Sequence, residues 1–160
     1  MKNSGKAFEK IIREQFDSIH NVSVDRINDN VGYAGAYGIA DFIVYRKPYK
    51  YYIECKSTKG TSFPFSNINE NALRDLVMAS ILNGVDSYFI IWFIDLNRTI
   101  AINARELYDQ MYVHNRKSIG VKSFQYFEFI DIAGTKKRKY FNYDLVTLLD
   151  VFDREQLWRN

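Results

Sequence analysis

The segment 88–94 constrains the fold more than any other part of the chain. It reads Tyr-Phe-Ile-Ile-Trp-Phe-Ile, without a charged residue, and it is far shorter than the ~20 apolar residues of a membrane span. A short apolar run without polar alternation is typical of a strand that is buried on both faces. We therefore predict a central strand over 87–96 with helices against both sides, and a short partner strand over 99–102.

Helical periodicity supplies the elements that cover this strand. Apolar residues three and four positions apart predict a first helix, with a stripe formed by Phe8, Ile11, Ile12, Phe16 and Ile19. Similar patterns predict helices from 66–69 to Gly84, from 104 to 113 and from 144 to 158, while 124–132 fits either a strand or a partly buried helix. At 160 residues the chain is most simply one α/β domain over 1–160, a sheet with helices on its faces.

The segment 41–56 predicts a β-hairpin. Two runs rich in β-branched and aromatic residues flank the residues 46–49, Arg-Lys-Pro-Tyr, which we interpret as a four-residue loop. Symmetric pairing then places Asp41 opposite Glu54, with their Cβ atoms about 5 Å apart. Because side chains alternate along a strand, Lys56 shares the face of Glu54 while Cys55 points to the other face.

Two facing carboxylates beside one ammonium group indicate a cation site. Like charges directly opposite each other destabilise a strand pair, and Mg²⁺ typically takes one or two carboxylates while keeping several waters. Lys56 would then orient a metal-bound water or offset charge on a phosphorane-like transition state. The chemistry implied is metal-assisted phosphodiester hydrolysis. The alternative is an ordinary cross-strand ion cluster of Asp41, Glu54 and Lys56 without a catalytic role.

Glu9 lies at the border of the apolar stripe on the first helix, where the helix meets its neighbours. From there it could reach the edge of the acidic face and help to hold a second metal ion or a water molecule. The alternative is a boundary glutamate that pairs with Arg13 four positions later.

Basic and hydroxyl-bearing residues that follow Lys56, or lie in two later loops, indicate a surface for a phosphate backbone. We assign DNA binding to Lys59, Thr61, Ser62, Arg116, Lys117, Lys136, Lys137 and Arg138. The alternative is a set of solvated turns. The glycine-rich segment 31–40 predicts a mobile loop that leads into Asp41, and its Tyr33 and Tyr37 either stack on bases or pack on the domain.

Composition excludes several classes of site. The single Cys55 rules out an internal disulfide and a cysteine-based zinc site. His20 and His114 are the only histidines and lie far apart in sequence, so we expect no histidine-driven mechanism. The formal charge of +3 and the pI near 8.9 favour nucleic acid only weakly. The first residues lack the apolar core of a signal peptide, so we expect a cytoplasmic protein with no membrane association.

Taken together, these motifs resemble those of a nuclease family. The pattern comprises Asn3-x-Gly5-x-x-Phe8-Glu9, then Asp41, then Glu54-x-Lys56 with Thr61-Ser-Phe-Pro-Phe-Ser-Asn-Ile close behind, and later Arg116-Lys-Ser-Ile. It is similar to that of the RecU-type Holliday junction resolvases, which belong to the PD-(D/E)XK nuclease superfamily. The resemblance spans most of the chain, and residues 54–70 are its most specific part. It implies a restriction-endonuclease-like core, a mixed central sheet flanked by helices, and a homodimer that nicks four-way DNA junctions symmetrically with Mg²⁺ or, in its place, Mn²⁺.

The same resemblance implies individual roles. Asp41 and Glu54 resemble the metal ligands, with the main-chain carbonyl of Cys55 as a third oxygen. Lys56 matches the catalytic lysine, and Glu9 matches the acidic residue of the first helix. Those four side chains, Glu9, Asp41, Glu54 and Lys56, are therefore the expected catalytic residues.

The chain also departs from the family pattern. Ala40 stands where the superfamily label has proline, and Asn-Glu-Asn-Ala over 69–72 stands where the family has His-Glu-His-Gln. The glutamine that helps to position water or phosphate is therefore Ala72, for which Glu70 could compensate. The segment before Asp41 is short for the stalk that these proteins push into a junction. Two other functions stay open: a duplex-cutting endonuclease of the restriction type, and a non-catalytic DNA-binding subunit.

Overall fold

In a computed structural model of the protein, which describes residues 4–27, 38–138 and 140–159, the apolar run forms a strand at the centre of a mixed sheet. The strands are β1 (Ser23–Arg26), β2 (Phe42–Arg46), β3 (Tyr49–Thr58), β4 (Ser62–Pro64), β5 (Val85–Phe93), β6 (Arg98–Asn103), β7 (Ser118–Gly120), β8 (Ile130–Asp131), β9 (Gly134–Lys136) and β10 (Phe141–Tyr143), and the helices are α1 (Ser4–Asp17), α2 (Glu70–Ala79), α3 (Ala104–Tyr112) and α4 (Leu145–Arg159). The main sheet has six strands in the order β1-β2-β3-β5-β6-β8. β3 and β5 are parallel, and all other neighbours are antiparallel.

Two hydrophobic cores cover the two faces of this sheet. In the first core, α1 and α4 pack on one face through residues such as Phe8 and Phe152. In the second core, α2 and α3 pack on the opposite face through Leu73 and Leu107. Every residue of β5 after Val85 is buried, as expected for a strand covered on both sides. The predicted fold class, a mixed central sheet flanked by helices, is confirmed.

The predicted hairpin is β2 and β3, with the register expected from the sequence. Tyr45 pairs with Lys50, and Phe42 pairs with Ile53. The four-residue loop is wrong, however, because Arg46 pairs with Tyr49 and only Lys47 and Pro48 remain between the strands, joined by a cis peptide bond. The sequence pattern could not distinguish the two because both loops keep the same symmetric register.

Three further features of the fold differ from the sequence prediction: one strand that was missed and the ends of two elements. β1 was missed, since its pattern of mostly exposed residues lacks a buried alternation. β3 continues two residues beyond Lys56 because Ser57 and Thr58 pair with β5. α2 ends at Ala79 rather than at 83–84: Ser80 caps it, and its hydroxyl donates a hydrogen bond to the carbonyl of Leu76 at 2.8 Å.

The segment 124–132 forms neither a continuous strand nor a helix. It contains a 3₁₀ turn, Phe124–Tyr126, followed by the short strand β8. β7, which was not predicted, pairs with β4 on the side of the second core, and β9 and β10 form a hairpin. Most of the predicted mobile loop over 31–40, with Tyr33 and Tyr37, lies in the segment 28–37, outside the described residues. Within the described residues, every helix is too short or too polar to traverse a lipid bilayer.

Candidate active site

Asp41 and Glu54 come together where β2 begins and β3 passes beside it. The N–H of Asp41 donates to the carbonyl of Ile53 at 3.1 Å, so the main chain just before β2 stays attached to β3, although the regular pairing of the two strands ends at Phe42 and Ile53. Oδ2 of Asp41 accepts a hydrogen bond of 2.7 Å from the N–H of Cys55. This bond holds the Asp41 carboxylate against β3, at Cys55, which directly follows Glu54 in the chain.

Lys56 completes the group from the same strand. Its Nζ lies 2.7 Å from Oε1 of Glu54, and both side chains are largely shielded from solvent, with 28% and 18% exposure. The alternation of β3 explains this pairing, since residues two apart project to one side. Cys55 points the other way and packs against the first core, where burial raises the pKa of its thiol.

The environment of Asp41 strongly perturbs the protonation of its carboxyl group. Burial, followed by the charge of Glu54, raises the pKa of Asp41 from 3.8 to about 7, and Glu9 adds to the rise. The Cys55 N–H and Lys56 act in the opposite direction without cancelling it. The carboxylates therefore carry more negative charge than the neighbouring donors of the chain offset, which is the environment that a bound cation would relieve.

Glu9 makes the predicted helical ion pair with Arg13 and is also close enough to Asp41 to act on its charge. Its Oε1 lies 3.7 Å from Nη1 of Arg13, the predicted helical partner, and its charge also reaches Asp41. In addition, Oε1 lies 3.9 Å from Nε of Arg26 on β1. Sequence reasoning missed Arg26 because β1 itself was not predicted, and no local pattern places it near α1.

The donors suit a metal ion that keeps much of its water. In the described ranges, no group of three or more His, Cys, Asp or Glu side chains is arranged to hold a metal ion. Asp41 and Glu54 nevertheless offer two hard oxygen ligands, and the carbonyl of Cys55 lies on the same strand between Glu54 and Lys56. One or two carboxylates plus water is the usual set for Mg²⁺, whereas Ca²⁺ and structural zinc require more protein ligands.

The residues assigned to DNA binding divide between the two faces of the sheet. Thr61 and Ser62 line a cavity of about 560 Å³ together with Arg116 and Lys117; we call it the β4–β7 cavity, since those strands border it. It lies on the side of the second core, where Phe63 and Ile119 are buried. Four of the assigned residues, far apart in sequence, thus meet at one place.

Lys136, Lys137 and Arg138 lie elsewhere, on the β9–β10 hairpin. All three are exposed, and the hairpin is anchored to the first core through Tyr140 and Phe141. Lys59 is exposed in the turn between β3 and β4, which is held by a hydrogen bond of 2.6 Å from the Gly60 N–H to Oδ2 of Asp95. The two basic segments therefore flank the sheet instead of forming one continuous strip.

Comparisons with known proteins bear on the family and the fold of the chain. A family model described as RecU, recombination protein U, matches residues 18–145. Among solved structures, Hjc of Archaeoglobus fulgidus, described as a Holliday junction resolvase from an archaeal hyperthermophile, matches with a TM-score of 0.54 and 14% sequence identity, covering 77% of this chain and 93% of its own. At that identity the likeness concerns the fold. The search of curated proteins returned no match to this chain.

Proposed function

Because the chain belongs to the RecU family of recombination proteins, we propose that it is a metal-dependent DNA endonuclease that resolves four-way junctions. The observation that carries the proposal is the proximity of Asp41 to Glu54, which itself contacts Lys56, with the pKa of Asp41 raised to about 7 by burial and by the charge of Glu54. Burial beside like charge is typical of functional sites. The likeness in fold to a junction resolvase supports the same substrate.

Mg²⁺ is the cofactor that the donor set fits, with Mn²⁺ as a possible substitute. Asp41 and Glu54 would hold the ion through their carboxylates, and the carbonyl of Cys55 would add a third oxygen. When bound, such an ion lowers the pKa of water and polarises the phosphate. The main-chain N–H of Cys55 fixes the orientation of Asp41, so this ligand is positioned before any ion arrives.

Lys56 and Glu9 have separate tasks in this proposal. Lys56 keeps its ammonium group beside Glu54, where it can donate hydrogen bonds to phosphate oxygens as charge develops on them. Glu9 contributes negative charge next to Asp41 while its contacts with Arg13 and Arg26 link α1 and β1 to the site. That role makes Glu9 an auxiliary acid, with a smaller effect on rate than the other three.

DNA contacts and symmetry complete the proposal. Lys59, Thr61, Ser62, Arg116, Lys117, Lys136, Lys137 and Arg138 would contact the phosphate backbone. Phosphate contacts of this kind position a protein on DNA without reading its sequence. A homodimer would present two active sites to a near-symmetric junction, and the paired nicks would follow from that two-fold arrangement. We expect this activity in the cytoplasm.

The test uses a labelled synthetic junction incubated with the purified protein and Mg²⁺, beside the Glu54→Ala variant and a linear duplex of the same sequence. We expect paired symmetric nicks in the junction from the natural protein and none from the variant. Equal nicking by both proteins would identify a contaminant. Preferred cutting of the duplex would favour an endonuclease of the restriction type, and activity retained in Asp41→Asn would favour a non-catalytic subunit.

A further inference from the structure

The β4–β7 cavity carries more positive charge than its few assigned residues indicate. The cations Arg116, Lys117 and Lys122 line it, together with hydroxyl groups of Thr61, Ser62 and two further serines. Among the described residues that line the cavity there is no carboxylate. In a chain with 22 basic and 19 acidic residues, such a one-sided lining identifies a place for an anion.

The backbone around the cavity is closely fixed. Ser62 pairs with Gly120 across β4 and β7, and the N–H of Val121 donates to the carbonyl of Thr61 at 3.0 Å. A Cβ atom at position 120 would lie 2.3 Å from that same carbonyl oxygen, so only glycine allows the two chains to approach so closely. The hydroxyl groups on one wall therefore keep a fixed relation to the cations on the other.

Arg116 is oriented before any ligand arrives. Its guanidinium lies 4.1 Å from the ring centroid of Tyr126, and its Nε donates to Oε1 of Gln110 at 2.9 Å. Within the described chain, its two Nη groups have no hydrogen-bond partner in the structure. The edge of the guanidinium that is best suited to bidentate recognition of phosphate therefore remains available.

Gln110 maintains this orientation from a buried position on α3. It is only 6% exposed, and its Nε2 donates to Oε1 of Glu106 at 2.9 Å and to the carbonyl of Tyr126 at 2.8 Å. With both donors engaged, the amide can only present its oxygen to Arg116. Oε1 of Glu106 also accepts a hydrogen bond from the N–H of Glu128 at 3.1 Å. The side chain of Gln110 is therefore fixed both by α3 and by the segment that contains Tyr126 and Glu128.

We propose that the β4–β7 cavity binds a non-scissile phosphate of the DNA strand, and that Gln110 is the positioning residue that presets Arg116 for it. The inference rests on the proposed function in taking DNA as the source of the phosphate. Arg116 supplies the bidentate contact, Lys117 and Lys122 supply charge, and the hydroxyl groups supply further donors. Because Arg116 is already ordered, little side-chain entropy is lost on binding.

The first experiment measures binding of a labelled four-way junction in EDTA, where cleavage cannot occur, as a function of salt. Lys117→Ala should weaken binding and reduce the slope of log Kd against log salt concentration by about one, because one phosphate contact is lost. Gln110→Met keeps the charge and most of the volume, so it should weaken binding about fivefold with the slope unchanged. Arg154→Ala, on the exposed side of α4, is the matched control and should change neither quantity.

The second experiment titrates inorganic phosphate while following backbone amide resonances. We expect resonance shifts at Ser62, Lys117 and Gly120 that require about fivefold more phosphate in Gln110→Met, and circular dichroism confirms that each variant is folded. If Gln110→Met does not fold, Lys117→Ala decides the matter, since that side chain is exposed.

Unperturbed amides and an unchanged salt slope in Lys117→Ala would overturn the inference. Phosphate shifts without any loss of DNA affinity in either variant would also overturn it, by assigning the cavity to free phosphate. The protein could show the phosphate-induced amide shifts and the weaker DNA binding of both variants and yet cut no junction. That result would reject the proposed function and leave the assignment of the cavity to phosphate standing.

Discussion

Asp41, directly before β2, and Asp86, on β5, are two buried or partly buried carboxylates with opposite surroundings. Asp86 on β5 is fully buried. It accepts hydrogen bonds from Asn103 at 2.9 Å and from Gln156 at 3.0 Å, and it forms an ion pair with Arg159. Two elements, β6 and α4, thus direct three side-chain donors at one carboxylate, and the chain itself compensates its charge.

Asp41 has the reverse environment. Within the described part of the chain, its carboxylate accepts one hydrogen bond, from the N–H of Cys55 at 2.7 Å, while Glu54 and Glu9 add negative charge nearby. Burial costs free energy for both carboxylates, but only at Asp86 do the surrounding side chains offset it. The comparison shows that burial and like charge raise the pKa of Asp41, whereas Asp86 is held by donors from the surrounding side chains. Under the proposed function, a bound cation would offset the charge around Asp41.

The largest effect that distinguishes the two regions is on catalysis. Glu54→Gln keeps the shape of the side chain but removes a ligand charge, so we expect junction nicking to fall by about 10³-fold, without a change in thermal stability beyond a few degrees. Single-turnover nicking at saturating Mg²⁺ measures the loss. Asp150→Asn, an exposed member of the Arg46 ion pairs, serves as the control and should nick normally. Undiminished nicking by Glu54→Gln would remove it from the active site.

Substitution of Asp86 should lower the stability of the folded protein. Asp86→Ala leaves the buried donors of Asn103 and Gln156 without an acceptor, so we expect a loss of about 3 kcal/mol in the free energy of unfolding. Urea unfolding measures it. Asp150→Ala, whose side chain is 59% exposed, should cost less than about 1 kcal/mol. Equal losses in the two variants would contradict the distinction between compensated and uncompensated carboxylates.

Added Mg²⁺ should stabilise the protein through Asp41. At a free concentration about 100 times its dissociation constant, a ligand that binds only the folded state adds about 2.7 kcal/mol, which corresponds to roughly 5–10 °C in Tm for a chain of this size. Thermal unfolding at pH 8 with and without Mg²⁺ measures the shift, and Asp41→Asn should abolish most of it. A shift of the same size in both proteins would place the ion elsewhere.

The smallest effect is the pH dependence without divalent ions. The pKa of Asp41 is about 7 in the folded state against 3.8 as its ordinary value, so between these values the folded state binds more protons than the unfolded state. Protonation of Asp41 therefore favours the folded state. The stability gained from it is fully present below pH 3.8 and is lost as the pH rises through 7. Asp41→Asn should therefore become more stable than the natural protein by about 1–2 kcal/mol above pH 7. The two proteins should respond alike at pH 4. Urea unfolding in EDTA across this range measures the difference, and a constant offset at every pH would contradict the raised pKa.

Much of the active-site strand pair could be predicted because its geometry is local. A two-residue period places Glu54 and Lys56 on one side of β3, and a symmetric turn predicts the register from Phe42 to Arg46, whichever loop closes the hairpin. The predicted direct pair of Asp41 and Glu54 is not part of that register, although the charge of Glu54 acts on Asp41. The long apolar run predicted the central strand for the same reason, since burial on both faces suppresses alternation. β1 and β7 were missed because short, mostly polar strands leave no such periodic signal.

The sequence by itself determined the α/β class, the register of the hairpin and the identity of its acidic and basic residues, because these depend on periodicity and turn chemistry over a few positions. Only the tertiary structure decided that Asp41 is poorly compensated while Asp86 is neutralised, and that Gln110 orients Arg116 in the β4–β7 cavity. Those properties arise from burial and from donors supplied by distant elements, and both depend on how the sheet and helices pack around each carboxylate or guanidinium.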